Sequence, residues 1–140
     1  QLLINCYLLG WSSNDLSKLS EYCKVTSEAI DIPIPSNHPV VGADAFRTGT
    51  GVHAAAVIKA SQKGDDWLAD RIYSGVPASL VGRRQKIEVG PMSGASNVEY
   101  RLNILGIAAH PDRVEAVLAA AKNADHVLDD EEIQAVLKAS

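Results

Sequence analysis

The sequence predicts a mainly α-helical protein with one or two short β-strands, and three observations lead there. Apolar residues recur at helical spacing through most of the chain. Strand-like alternation is confined to residues 85–89, where Ile87 and Val89 share a face. A proline-rich stretch, "DIPIPSNHPVVG" at residues 31–42, divides two N-terminal helices from everything that follows. The chain has 140 residues, of which 46% are hydrophobic and 21% charged, ordinary values for a soluble globular chain with a moderate core.

Each element follows from local chemistry. In "QLLINCYLLGW", Leu2, Leu3, Cys6 and Leu9 keep helical spacing from the first residues, and Gly10 suits the left-handed C-terminal cap. "SSND" offers N-cap candidates for a second helix over 16–29, with Leu16, Leu19, Tyr22 and Cys23 as its apolar stripe. Pro33, Pro35 and Pro39 then impose an extended linker. A third helix is expected over 43–60 despite Gly49 and Gly51, which mark a kink or a close approach. A short helix follows in "DDWLADRIY", and "SGASNVEYRLNILGI" reads as a capped helix closing at Gly106. Pro111 opens a helix whose stripe is Val114, Val117, Leu118 and Ala121. Asp129 and Glu132 resemble a capping box for the last one, which explains the acidic run better than metal binding does.

The composition excludes several function classes. A net charge of -4 gives no basic field for nucleic acid, and Arg83-Arg84-Gln85-Lys86 reads as a solvated turn. No apolar run is long enough for a bilayer, and no signal peptide pattern occurs, so the chain is expected in the cytoplasm. Cys6 and Cys23 read as two buried free thiols, and no Cys/His spacing suggests structural zinc.

Three places carry candidate chemistry. His53 sits among Gly49, Thr50, Ala56 and Val57 at helical spacing, none large enough to cover an imidazole. An accessible imidazole is a natural general acid or base, and the alternative is a histidine filling a gap in a tightly packed helix. Tyr73 precedes a Gly/Pro turn, where its phenol either projects into a cleft or packs at an interface. "GPMSGASNV" runs into a helix N-terminus that either receives an anion or is simply capped. These residues do not make a self-sufficient active site.

Taken in order, "PIPSNHPVVGADAFRTGTGVH", "YSGVPASLVGR" and "MSGASNV" resemble the region after the catalytic barrel of 2-isopropylmalate synthases. With homocitrate and citramalate synthases, these form a family of acyl-CoA condensing acyltransferases. The resemblance covers nearly the whole chain. It implies a (β/α)8 barrel followed by small helical subdomains that mediate dimerisation, with acetyl-CoA and an α-keto acid as substrates in leucine biosynthesis. Residues 1–30 would hold the end of the last barrel helix and the helix after it, 31–42 the linker, 43–106 a subdomain carrying His53 and Tyr73, and 107–140 a helical pair. The family's divalent metal (Mg, Mn or Zn) is implied in the barrel on an H-x-H pair and an early Asp in a D-R-E type motif, neither of which occurs in this chain. Alone it is expected to bind no catalytic metal and to turn over nothing. The resemblance gives His53 a catalytic role in the active site of the homodimer partner, assisting proton transfer, with Tyr73 supporting the same step. Ala54-Ala55-Ala56 stand where many 2-isopropylmalate synthases have Gln-Asp-Gly, which leaves homocitrate or citramalate specificity open. A purely structural dimerisation module is the other reading. These 140 residues include no long βα-rich segment of the leucine-binding kind, and no nucleic acid or membrane is expected as a partner.

Overall fold

Helix α1 (Leu2–Leu8) ends as its glycine suggests: Gly10 adopts φ 75°, and the Trp11 N–H returns to the Cys6 carbonyl. The computed structural model describes residues 1–139. After α1 come α2 (Leu19–Ile30), β1 (Arg47–Thr48), α3 (Gly51–Gln62) and α4 (Asp66–Ala69). A 3-10 turn (Ala78–Val81), β2 (Lys86–Ile87), α5 (Ala95–Ile104), α6 (Pro111–Asn123) and α7 (Asp130–Ala139) complete the described chain. The fold is mainly helical, and its one sheet pairs β1 with β2 in parallel, Arg47 opposite Lys86 and Thr48 opposite Ile87.

The chain forms two compact units interleaved in sequence. The first is Gln1–Phe46 with Tyr73–Gln85; the second is Arg47–Ile72 with Lys86–Ser140. In the first, Ile4, Leu16, Val40 and Val81 make a small core, with Leu19, Phe46 and Leu80 packed against it. Arg83 binds this unit together. Its Nη1 donates to the Val40 and Gly42 carbonyls at 2.9 and 2.7 Å, its Nη2 to Ala45 at 3.2 Å, and its guanidinium lies over the Phe46 ring. Arg83 is therefore no part of a solvated turn, whereas Arg84 and Lys86 are exposed as expected.

The second unit has two apolar clusters. Ala54, Val57, Ile58 and Ala60 of α3 bury against α4, α5 and Ile87. Val98 and Leu102 of α5, Val114, Val117 and Ala121 of α6, and Ile133 of α7 form the other, closed by Val89. The α6 stripe is the one its periodicity predicts. The expected capping box is also there: the Asp129 N–H donates to Glu132 and the Glu132 N–H to Asp129, at 2.8 and 2.9 Å. Arg101 Nε reaches Asp130 at 2.7 Å and ties α5 to α7.

Several expectations need correction. The helix anticipated over 43–60 begins only at Gly51. Residues before it turn, with Phe46 at φ 65°, and then run as β1. Phe46 in the left-handed region cannot continue a right-handed helix, and Arg83 holds the turn ahead of it through the Gly42 and Ala45 carbonyls. The second helix starts at Leu19, and Asp15 and Ser12 accept the Ser17 and Asn14 N–H groups in turns instead of capping it. Its expected stripe is buried only at its start: Leu16 lies in the core and Leu19 packs against it, whereas Tyr22 is 67% exposed. Cys6 and Cys23 are free but only half-buried. Alternation in 85–89 fails at Glu88, whose carboxylate is buried against Arg47 and Lys86 at 2.6 and 3.2 Å.

Candidate functional site

The α3 N-terminus carries the first candidate. Thr50 is the N-cap in extended conformation, and its side chain makes no capping bond. The start of the helix is instead fixed by the loop that leads into α5. The Gly51 N–H donates to the Met92 carbonyl at 3.0 Å. The Gly49 carbonyl accepts from Ser93 Oγ at 2.8 Å and from Asn97 Nδ2 at 3.2 Å. Asn97 Nδ2 also donates to the Glu88 carbonyl at 2.8 Å, and its Oδ1 accepts the Gly94 N–H at 3.2 Å. Asn97 is 0% exposed and Ser93 3%, so both side chains are shielded from water. The donors and acceptors of the Asn97 carboxamide all match, which fixes its orientation.

His53 stands in the first turn of α3, and its side chain is exposed while Ala54, Val57 and Ile58 are buried. The accessible imidazole expected from its small neighbours is what the fold provides. Val52 beside it is 73% exposed. Tyr73 is 49% exposed and lies in the turn that follows α4. The next residue, Ser74, accepts a hydrogen bond from Gln85 Nε2 at 2.6 Å. His53 belongs to the second compact unit and Tyr73 to the first.

"GPMSGASNV" resolves as a cap: its Gly94 N–H is taken by Asn97. What sequence reasoning missed is the bond to Gly49, 44 positions from Ser93, for which no local signal exists. Arg83 was missed for the same reason, its carbonyl partners lying 38 to 43 positions away.

Among the described residues, no three His, Cys, Asp or Glu side chains gather into a set able to hold a metal ion. His126 has a different setting, with Nδ1 2.9 Å from Asp125 and Nε2 2.8 Å from Glu132. Its hydrogen bonds to the Asp125 and then the Glu132 carboxylate raise its pKa above the ordinary imidazole value. Among the described residues, no helix is long and apolar enough to cross a membrane.

No protein-family model matches the chain. It is 36% identical over 101 residues to an (R)-citramalate synthase of Aquifex aeolicus, covering 72% of this chain and 17% of that protein. It is 34% identical over 101 residues to a homocitrate synthase of Pyrococcus horikoshii, covering 72% of this chain and 26% of that one. A probable 2-isopropylmalate synthase of Ignicoccus hospitalis is 35% identical over 104 residues, with 74% and 24% covered. Each relative is thus matched over a minor part of its length. By these similarities the chain belongs to the 2-isopropylmalate, homocitrate and citramalate synthase family, and corresponds to a minor portion of its members.

Proposed function

We propose that this chain follows the catalytic barrel of an acyl-CoA condensing acyltransferase and lends His53 and Tyr73 to the active site of a homodimer partner. In the condensation, the methyl group of acetyl-CoA loses a proton and its carbon bonds to the keto carbon of an α-keto acid. The keto oxygen takes a proton and becomes a hydroxyl, and water then cleaves the thioester to a carboxylate and free CoA. His53 relays one of these protons through an imidazole nitrogen, and Tyr73 supports the same step. The metal belongs to the barrel, and this portion alone has no turnover. The enzyme works in the cytoplasm.

The observation that carries this reading is the exposure of His53 on a helix whose lead-in is held by hydrogen bonds from the buried Ser93 and Asn97. An exposed, anchored imidazole suits delivery into a neighbouring site better than it suits a packing role. Our first choice of product is 2-isopropylmalate, for leucine biosynthesis. Ala54-Ala55-Ala56 after the histidine, and relatives named citramalate and homocitrate synthases, favour a second reading in which another α-keto acid is condensed.

The test is His53→Ala in the full-length enzyme, with turnover and thermal melting measured on the same protein. Turnover should fall about 10²–10⁴-fold with the melting temperature unchanged. Wild-type turnover, or a loss that merely tracks unfolding or dimer dissociation, would leave the chain a structural module.

A further inference from the structure

We infer that Ser93, in the loop before α5, and Asn97, in its first turn, are positioning residues that set the aim of His53 from within the same unit. The inference rests on the assignment of His53 to the chemistry above. It starts from a gap in α3 itself: Thr50 gives the helix no side-chain cap, and no residue of the first turn is acidic. A helix start so lightly held would fray within its first turn. Two side chains outside α3 instead hold the Gly49 carbonyl, just ahead of the N-cap.

Ser93 Oγ has one proton, and of its carbonyl contacts the shorter is to Gly49 at 2.8 Å, against 3.2 Å to Glu88. The same oxygen accepts the Gly90 N–H at 2.9 Å, so the hydroxyl is oriented from its other side. Asn97 adds a second bond to the Gly49 carbonyl and ties it to the Glu88 carbonyl beside β2. The Glu88 N–H in turn donates to Thr48 at 3.0 Å. Gly49 is thereby fixed on both sides, and His53 follows it by one helical turn. The absence of a side chain on Gly51 lets α3 approach this loop closely enough for the bonds to form. A lateral shift of about 1 Å at a proton-transferring group costs up to 10²-fold in rate, so this anchoring is felt at the reaction.

The experiment uses the full-length enzyme in a double-mutant cycle. Ser93→Ala and Ser93→Thr are each made alone, and Ser93→Ala also in a His53→Ala background. Turnover, the KM for acetyl-CoA, and amide exchange at Gly51 and at Val117 of α6 are measured. Ser93→Ala should lower kcat about 10- to 100-fold with KM unchanged, and should speed exchange at Gly51 but not at Val117. Ser93→Thr, which keeps the hydroxyl, should restore most of the rate. In the His53→Ala background the same substitution should cost nothing further. An equal loss in both backgrounds, no loss in either, or faster exchange at Val117 as well would overturn the inference. Wild-type turnover in His53→Ala alone would instead remove the catalytic reading on which it rests.

Discussion

Gly51 and Gly94 meet backbone to backbone: a Cβ on Gly51 would lie 2.8 Å from the Gly94 amide nitrogen. That contact brings α3 against the loop before α5 and puts the Gly49 carbonyl within reach of Ser93 and Asn97. Alanine normally stabilises a helix relative to glycine by up to about 1 kcal/mol. Here the added methyl strikes main chain, which cannot swing aside. Gly51→Ala should therefore destabilise the second unit by about 1–3 kcal/mol. Gly49→Ala is the control, because nothing lies within 4 Å of a Cβ there. Denaturant unfolding of the two variants should separate them, and equal midpoints would contradict the contact.

Arg83 predicts a result of a different kind. Its planar fork serves the Val40, Gly42 and Ala45 carbonyls at once and stacks on Phe46. A lysine retains the charge but not the fork, so Arg83→Lys should be nearly as harmful as Arg83→Ala. Each loses about 1–3 kcal/mol from unsatisfied carbonyls, read as a lower melting temperature. A lysine variant as stable as wild type would show that charge alone matters.

His126 predicts a pH dependence. Its hydrogen bonds to Asp125 and then Glu132 raise its pKa, so their contribution is complete below the ordinary imidazole value. That contribution fades as pH climbs through the raised value. The bond from His126 lowers the Asp125 pKa; the Asp129 N–H, and then His126, lower that of Glu132. Those contributions are present above the ordinary carboxylate range and fade as pH falls through the lowered values. The cluster is thus most stabilising near pH 5–6. Proton NMR should find His126 titrating above an ordinary histidine, and Glu132→Gln should move it back toward one. No change in that variant would remove the cluster as the cause.

Much of the fold was legible because its causes are local. The α6 stripe, the Asp129–Glu132 box and the left-handed Gly10 and Gly106 each depend on residues within a few positions. The exposure of His53 followed from its small neighbours. The start of α3 was not legible, because the turn ahead of it is held by Arg83 from 38 and 41 positions away. The burial of Glu88 was hidden too, since Arg47 answers its charge from 41 positions away. The link from Ser93 to Gly49 is of the same type: long-range polar pairing leaves no periodicity to read.

The central claim, that His53 serves the barrel of another subunit, is tested most directly by mixing two inactive full-length proteins. One carries His53→Ala with an intact barrel; the other keeps His53 but has a barrel disabled at a metal ligand. After subunit exchange, half the dimers are mixed, and each mixed dimer holds one complete site if the histidine crosses over. Activity should then return to about a quarter of the wild-type level for a two-fold symmetric dimer. No recovery from dimers shown to be mixed would place His53 in its own subunit's site, and would contradict the account.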